Sequence, residues 1–337
     1  MAWRRHILRK ICLTAAVPAY WLLCAWCGMV VYYHLPFFSQ FCAWGYWLLA
    51  AALSITAVFV KRKRLITSAA AVLPLLVIAW WLTITPSNNA DWQTSWAKMP
   101  AVEVKNNILS IQNIRDFNYS SENDYDAKYI SGDYDLDKLD KVMLILSYWD
   151  GNTAVAHTIL DFGFNDGRWL VISSETRLKN GQQQTALGGL FKQYGSLFII
   201  GTEADLLMLR TNYRKEQVYM YQLRITPDEC RMLLLDLVNR SNKLITHPQF
   251  YNTVTSNCMT SLVPSMRKVA HNKDVFKDIR FLKNGYSDQI IYEQNIKSKE
   301  ISYEQFRQEH YISPTMQTVT DRDKYSEELH RTVPSRW

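Results

Sequence analysis

The first 85 residues contain no Asp and no Glu. The same stretch holds eight Lys or Arg, at Arg4, Arg5, Arg9, Lys10, Lys61, Arg62, Lys63 and Arg64. Taking these from the chain's 38 basic residues leaves 30 against 31 acidic ones. The net charge of +7 therefore belongs to the N-terminal quarter. The remainder is close to neutral and lacks a basic stripe, which excludes nucleic acid as a partner. Phosphate loops are missing too: no GxGxxG or Walker-type loop occurs, and "LGGLF" lacks a following Lys-Ser/Thr and reads as a turn. His6, His34, His157, His247, His271, His310 and His330 show no HxxxH or HExxH spacing, so neither a metal nor a cofactor is expected. A serine nucleophile on a GxSxG elbow is absent as well.

What fills the acid-free quarter is apolar. Residues 11–33, 41–60 and 65–85 are uncharged runs apart from the cluster ends, each long enough on count to cross roughly 30 Å of hydrocarbon. They predict three transmembrane helices forming an anchor over 1–85, integral to a bacterial inner membrane. "RRHILRK" and "KRKR" flank the runs, and the loop "HLPFFSQ" has no Lys or Arg. The positive-inside rule then puts the N-terminus in the cytoplasm and everything beyond about Pro86 in the periplasm.

Residues 86–103 read as a juxtamembrane linker, 104–313 as a periplasmic α+β domain, and 314–337 as a polar, loosely held tail. "KVMLILSYW", "SLFIIGT" and "QVYMYQLRI" have strand character. "VAHTILDFGF" and "RWLVISSE" flank Asn165–Gly167, a hairpin signal. With those three residues as the loop, Phe164 pairs with Arg168, and counting back sets His157 opposite Glu175. "TPDECRMLLLDLVNRSNKLITH" predicts a helix capped by Thr226 and Glu229 with Cys230 on its core face. "CMTSLVPSMRKVA" predicts another, capped by Ser256 or Asn257, with Cys258 in its first turn and Pro264 kinking or ending it.

A helix start supplies partial positive charge that favours a thiolate. Cys258, His157 and Glu175 thus offer a nucleophile, a base and an orienting carboxylate. A packed thiol, a core histidine and a surface carboxylate fit the same residues, as does a Cys230–Cys258 disulfide in an oxidising compartment.

The motifs "IQNIRDFNY", "DYDLDKLDKV", "AHTILDFGF", "SSETR", "GLFKQY", "LRTNYR", "YMYQL" and "PQFYNTVTSNCMTSL" are similar to those of the Lnb N-terminal periplasmic domain family, over roughly Val104 to Met266. That resemblance implies a permuted papain-like antiparallel sheet packed on helices, with the histidine strand before the cysteine helix. It implies Cys258 as nucleophile, His157 as general base and Glu175 as orienter. Asn257, Asn252 and Arg177 fall in matched motifs as supporting or oxyanion groups. Arg210 and Arg214 either hold a phosphate headgroup or pair with Glu203 or Asp205. The implied activity is a membrane-anchored thiol acyltransferase that moves a fatty acyl group from a membrane phospholipid to a lipoprotein amine. A cysteine amidase or peptidase acting on cell-wall peptide, and a catalytically silent lipid- or protein-binding module, are the alternatives. Met259 stands where the family motif has Thr, and Ala204 where it has Arg.

Overall fold

A computed structural model describes residues 2–35, 39–59, 63–149, 151–278, 280, 283–295 and 301–333. It divides into two units, Met1–Pro86 with Thr185–Gln193, and Ser87–Gln184 with Tyr194–Trp337.

In the first unit the apolar runs are helices: α1 (Ala2–His34), α2 (Ser39–Phe59) and α3 (Lys63–Thr83). Among the described residues, however, no helix is long and apolar enough to cross a membrane. This overturns the expected three transmembrane helices, and the orientation deduced from them loses its basis. Tyr20, Trp21, Trp26, Tyr32 and Tyr33 interrupt α1, and Trp44, Tyr46 and Trp47 interrupt α2. These rings carry polar N–H and O–H groups that favour contacts with other helices. Cys24, Cys27, Val30, Tyr46, Ala50 and Val77 share one buried cluster. Residues 36–38 of the uncharged loop and 61–62 of the basic cluster lie outside the described residues. "LGGLF", expected as a turn, lies in a short helix, α4 (Ala186–Leu190), and its end, capped by Thr185 Oγ1. Phe191 follows α4 and stacks on Tyr33, ring centroids 5.2 Å apart.

The second unit is mixed α+β. Asn106 and Asn107 adopt left-handed backbone angles (φ 50° and 65°), which asparagine tolerates, and turn β1 (Ala101–Lys105) into β2 (Ile108–Arg115). A small hairpin, β3 (Asn118–Tyr119) and β4 (Tyr125–Asp126), precedes β5 (Tyr129–Asp135). β6 (Leu139–Tyr148), β7 (His157–Phe164), β8 (Trp169–Arg177), β9 (Gly195–Gly201) and β10 (Gln217–Gln222) complete the strands. The main sheet runs β1-β2-β9-β8-β7-β6-β10, with β5 also on β2. Its pairings are antiparallel except β2 with β9.

Helices cover both faces. Leu160, Phe162, Leu170 and Ile172 pack with Leu233 and Leu237 of α6 (Pro227–Thr246) and Leu262 of α7 (Cys258–Val269). The opposite face joins Ile159, Val171 and Ile199 to Leu206 and Leu207 of α5 (Glu203–Met208). After α7 come α8 (Ser287–Asn295), α9 (Tyr303–Glu309), α10 (Ser313–Met316) and α11 (Tyr325–Thr332). α7 continues past Pro264 to Val269 rather than breaking there. Met266 and Val269 remain buried beyond the proline, and that packing offsets one lost backbone bond.

The stretch expected as a juxtamembrane linker and the one expected as a loosely held tail both make tertiary contacts. In 86–103, Gln93 N donates to Leu178 O (3.0 Å), and Arg177 gathers Trp96 O, Ala97 O and Asn88 Oδ1, each at 2.9 Å. In 314–337, Met316, Tyr325 and Leu329 are fully buried. A few apolar anchors at helical spacing suffice to fold a segment that is otherwise polar.

Candidate active site

The hairpin count places the first pair of groups. Phe164 N bonds Arg168 O (2.9 Å), and the observed register Gly163↔Trp169 to Ile159↔Ser173 extends to His157 opposite Glu175. Alternation sends His157, Ser173 and Glu175 to the same side of adjacent strands. His157 Nε2 lies 2.7 Å from Ser173 Oγ and 3.0 Å from Glu175 Oε1. Ser173 Oγ in turn donates to Glu175 Oε1 at 2.7 Å. Both ionisable side chains are largely shielded, at 15% and 17% exposure.

The thiol comes from the other face. Asn252 Oδ1 accepts from Val254 N and Thr255 N, both at 3.0 Å, and so builds the turn before α7. Asn257 caps the helix, accepting from Thr260 N at 2.9 Å, while Thr260 Oγ1 accepts from Asn257 N at 2.8 Å. Cys258 is the first residue of α7, and its Sγ sits 3.8 Å from Ala156 O, just before the histidine strand. The His157 imidazole is its electrostatic partner and favours its ionised form. Cys230 and Cys258 are both free thiols, so no disulfide joins them. Burial pushes Cys230 up to about 12, in keeping with a packed, inert thiol.

Electrostatics order these groups. Burial opposes ionisation of Glu175, but the imidazole of His157, Arg210 and the Ser173 hydroxyl hold its carboxyl well below the usual range. Burial would lower His157, yet Glu175 and the Cys258 contact raise it to about 9. Burial would raise Cys258, and the hydrogen bond and charge of His157 lower it instead. The arrangement favours a thiolate beside an imidazolium, each form stabilising the other.

The remaining sequence candidates take other places. Arg177 does not face the thiol; its guanidinium clamps the segment at Trp96 and lies 4.3 Å from the Trp92 ring centroid. Arg210 pairs with neither Glu203 nor Asp205. It sits in a π-helical turn (Leu209–Tyr213), buried, with Nη2 3.2 Å from Glu175 Oε1 and Nη1 2.7 Å from Leu206 O. Such a wide turn rotates one side chain out of helical register, here toward the carboxylate. Buried and so engaged, Arg210 is not placed to hold a headgroup. Arg214 pairs with Glu122 (3.2 Å) and Glu216 (3.7 Å). Asp205 is taken by Arg115.

Two residues escaped sequence reasoning. Ser173 lies on alternate positions with Glu175, a spacing that could have marked it once the hairpin register was set. Asn284 carried no such signal, because its site is assembled by a distant loop. Its Oδ1 accepts from Ala156 N (3.2 Å), and its Nδ2 donates to Ala156 O and Thr158 Oγ1 and lies 3.6 Å from Cys258 Sγ. It positions the backbone that meets the thiol. Gly285 lets Asn284 come this close: a Cβ there would meet Thr153 O at 2.2 Å and the Ala154 carbonyl carbon at 2.8 Å. Gly285→Ala is therefore expected to cost about 1–3 kcal/mol by overpacking and to slow any reaction at Cys258. Thermal melting and alkylation rate of the thiol check this; a variant that melts and alkylates like wild type would show that the contact yields.

No curated protein and no solved structure gives a significant match to the chain. Residues 125–285 match a family model, and that span contains His157, Ser173, Glu175, Cys258 and Asn284. It begins later than the resemblance read from motifs and runs further toward the C-terminus. The model that residues 125–285 match is that of the Lnb N-terminal periplasmic domain.

Proposed function

We propose that this domain is a periplasmic thiol acyltransferase. The Cys258 thiolate attacks the carbonyl carbon of a fatty-acyl ester, in a phospholipid or lipoprotein. The tetrahedral intermediate collapses to a Cys258 thioester as the ester alkoxide leaves with the proton from His157. An amine, that of a lipoprotein acceptor, then attacks the thioester, giving its proton back to His157 as the amide forms and the thiolate departs. Nε2 of His157 is held by Ser173 and Glu175. That leaves Nδ1 to serve the thiol, the division of labour a nucleophile, base and orienter require. Backbone N–H groups at the start of α7 are suited to the oxyanion. What carries this reading is the His157–Glu175 pair, 3.0 Å apart, with the imidazole favouring the ionised form of Cys258 at the head of α7.

Intact mass of the protein after incubation with phospholipid vesicles tests it. An acyl adduct is expected on the wild type and not on Cys258→Ala. Peptide release from cell-wall fragments without an adduct would replace the reading with an amidase; no adduct and no cleavage would leave a silent module.

The acylation rate should follow a bell in pH. It rises as Cys258 ionises below its ordinary thiol range, because the thiolate is the attacking form. It falls above about 9, where His157 loses the proton that the leaving alkoxide needs. A rate still climbing at pH 10 would contradict this proton assignment.

A further inference from the structure

On the face of the sheet opposite α7, three side chains from distant parts of the chain converge. Asp161 comes from β7, Glu203 from the start of α5 and His330 from α11. One ligand atom from each lies within 4.8 Å of the other two. His330 Nε2 is 2.6 Å from Glu203 Oε1, and Ser326 Oγ donates to Glu203 Oε2. Asp161 is fully buried and faces the Glu203 carboxyl, and neither of its carboxylate oxygens has a nitrogen or hydroxyl donor in hydrogen-bond geometry among the described residues. A buried carboxyl with two unsatisfied oxygens is costly unless a partner completes it.

The surroundings fit a ligand set better than a packing accident. Gly163 has no room for a Cβ, which would meet the Trp169 ring at 2.5 Å, so the indole lies flat on the strand. His330 stacks on that indole, centroids 3.5 Å apart and planes 9° from parallel. The stack fixes the imidazole plane while its Nε2 points at Glu203. An oriented ring of this kind is what metal-binding histidines need.

We propose that Asp161, Glu203 and His330 bind a divalent transition-metal cation, with Zn²⁺ as the probe. One nitrogen and two carboxylate ligands suit zinc, whose bonds to such atoms are about 2.0–2.2 Å. Modest side-chain adjustment draws the three atoms onto one ion and gives Asp161 its partner. The ion clamps α11 and α5 onto β7, the strand that begins with His157. No motif announces the site because each ligand comes from a different element.

The test uses the full chain, stripped with chelator and then titrated with Zn²⁺. Bound metal is measured by elemental analysis after gel filtration, and affinity by competition with a chromophoric chelator. One tight equivalent is expected. Asp161→Asn and His330→Gln should each weaken it at least tenfold, while Cys258→Ser should retain it. His330 is partly exposed, so His330→Gln remains informative where Asp161→Asn fails to fold. The inference is overturned if the wild type holds no zinc. It is equally overturned if both variants bind as tightly as wild type, or if binding disappears with Cys258→Ser, which would place the metal at the thiol.

Discussion

Cys258→Ala should abolish acyl-adduct formation, and His157→Gln should slow single-turnover acylation by roughly 10²–10⁴-fold. Neither is expected to unfold the domain, since Cys258 caps nothing and the helix start is secured by Asn257 and Thr260. Glu175→Gln is the more revealing companion. It keeps the shape of the side chain but removes the charge that holds His157 at about 9. The falling limb of the pH–rate profile should then move to lower pH, and the rate near neutral pH should drop. Because the groups act as a unit, the double variant Cys258→Ala/His157→Gln should be no slower than Cys258→Ala alone. Single-turnover rates with a labelled ester, beside melting curves, check all four variants. Equal adduct yields for wild type and His157→Gln would remove the imidazole from the chemistry.

The largest effect on stability is expected from Asp205→Ala. Asp205 is fully buried and accepts from Arg115 Nε (2.9 Å), Arg115 Nη2 (2.8 Å), Phe117 N (2.9 Å) and Tyr119 Oη (3.2 Å). Removing it leaves the buried Arg115 guanidinium without a counter-charge, and it orphans a backbone donor as well. Breaking such a pair costs about 3–5 kcal/mol, or a fall of about 10 °C in melting temperature for a domain of this size. Asp205→Asn should cost less, because its amide oxygen can still accept. Urea melts of both variants separate the charge from the shape. A loss below about 1 kcal/mol for Asp205→Ala would mean that water takes the place of the carboxylate.

Much of the candidate site could be read before the structure was known, and the physical reasons differ by residue. The Asn165–Gly167 loop sets a two-strand register by short-range geometry, so His157 and Glu175 could be brought together by counting. The caps of α6 and α7 are equally local, and Thr226 and Asn257 stand where their sequence positions put them. Arg177 was misplaced because a motif reports that a residue matters without saying which way it points. Arg210 shares a helical segment with Glu203 and Asp205, the nearest acids by sequence, but the π-helical turn carries it to Glu175 on β8. The apolar runs of the first unit satisfied a length rule for spanning, whereas their rings and small residues pack helix on helix.

Periodicity, turn chemistry and helix caps act over a few residues, and from them alone came the mixed α+β character, the histidine–glutamate register and a cysteine heading a helix. Pairings between distant segments depend on which strands become neighbours, and no local pattern encodes that choice. Ser173 behind His157, Asn284 over the thiol, Arg115 with Asp205, and the convergence of Asp161, Glu203 and His330 all belong to this second class. Each depends on burial, which strengthens charge and hydrogen bonding only after the folded chain has removed water.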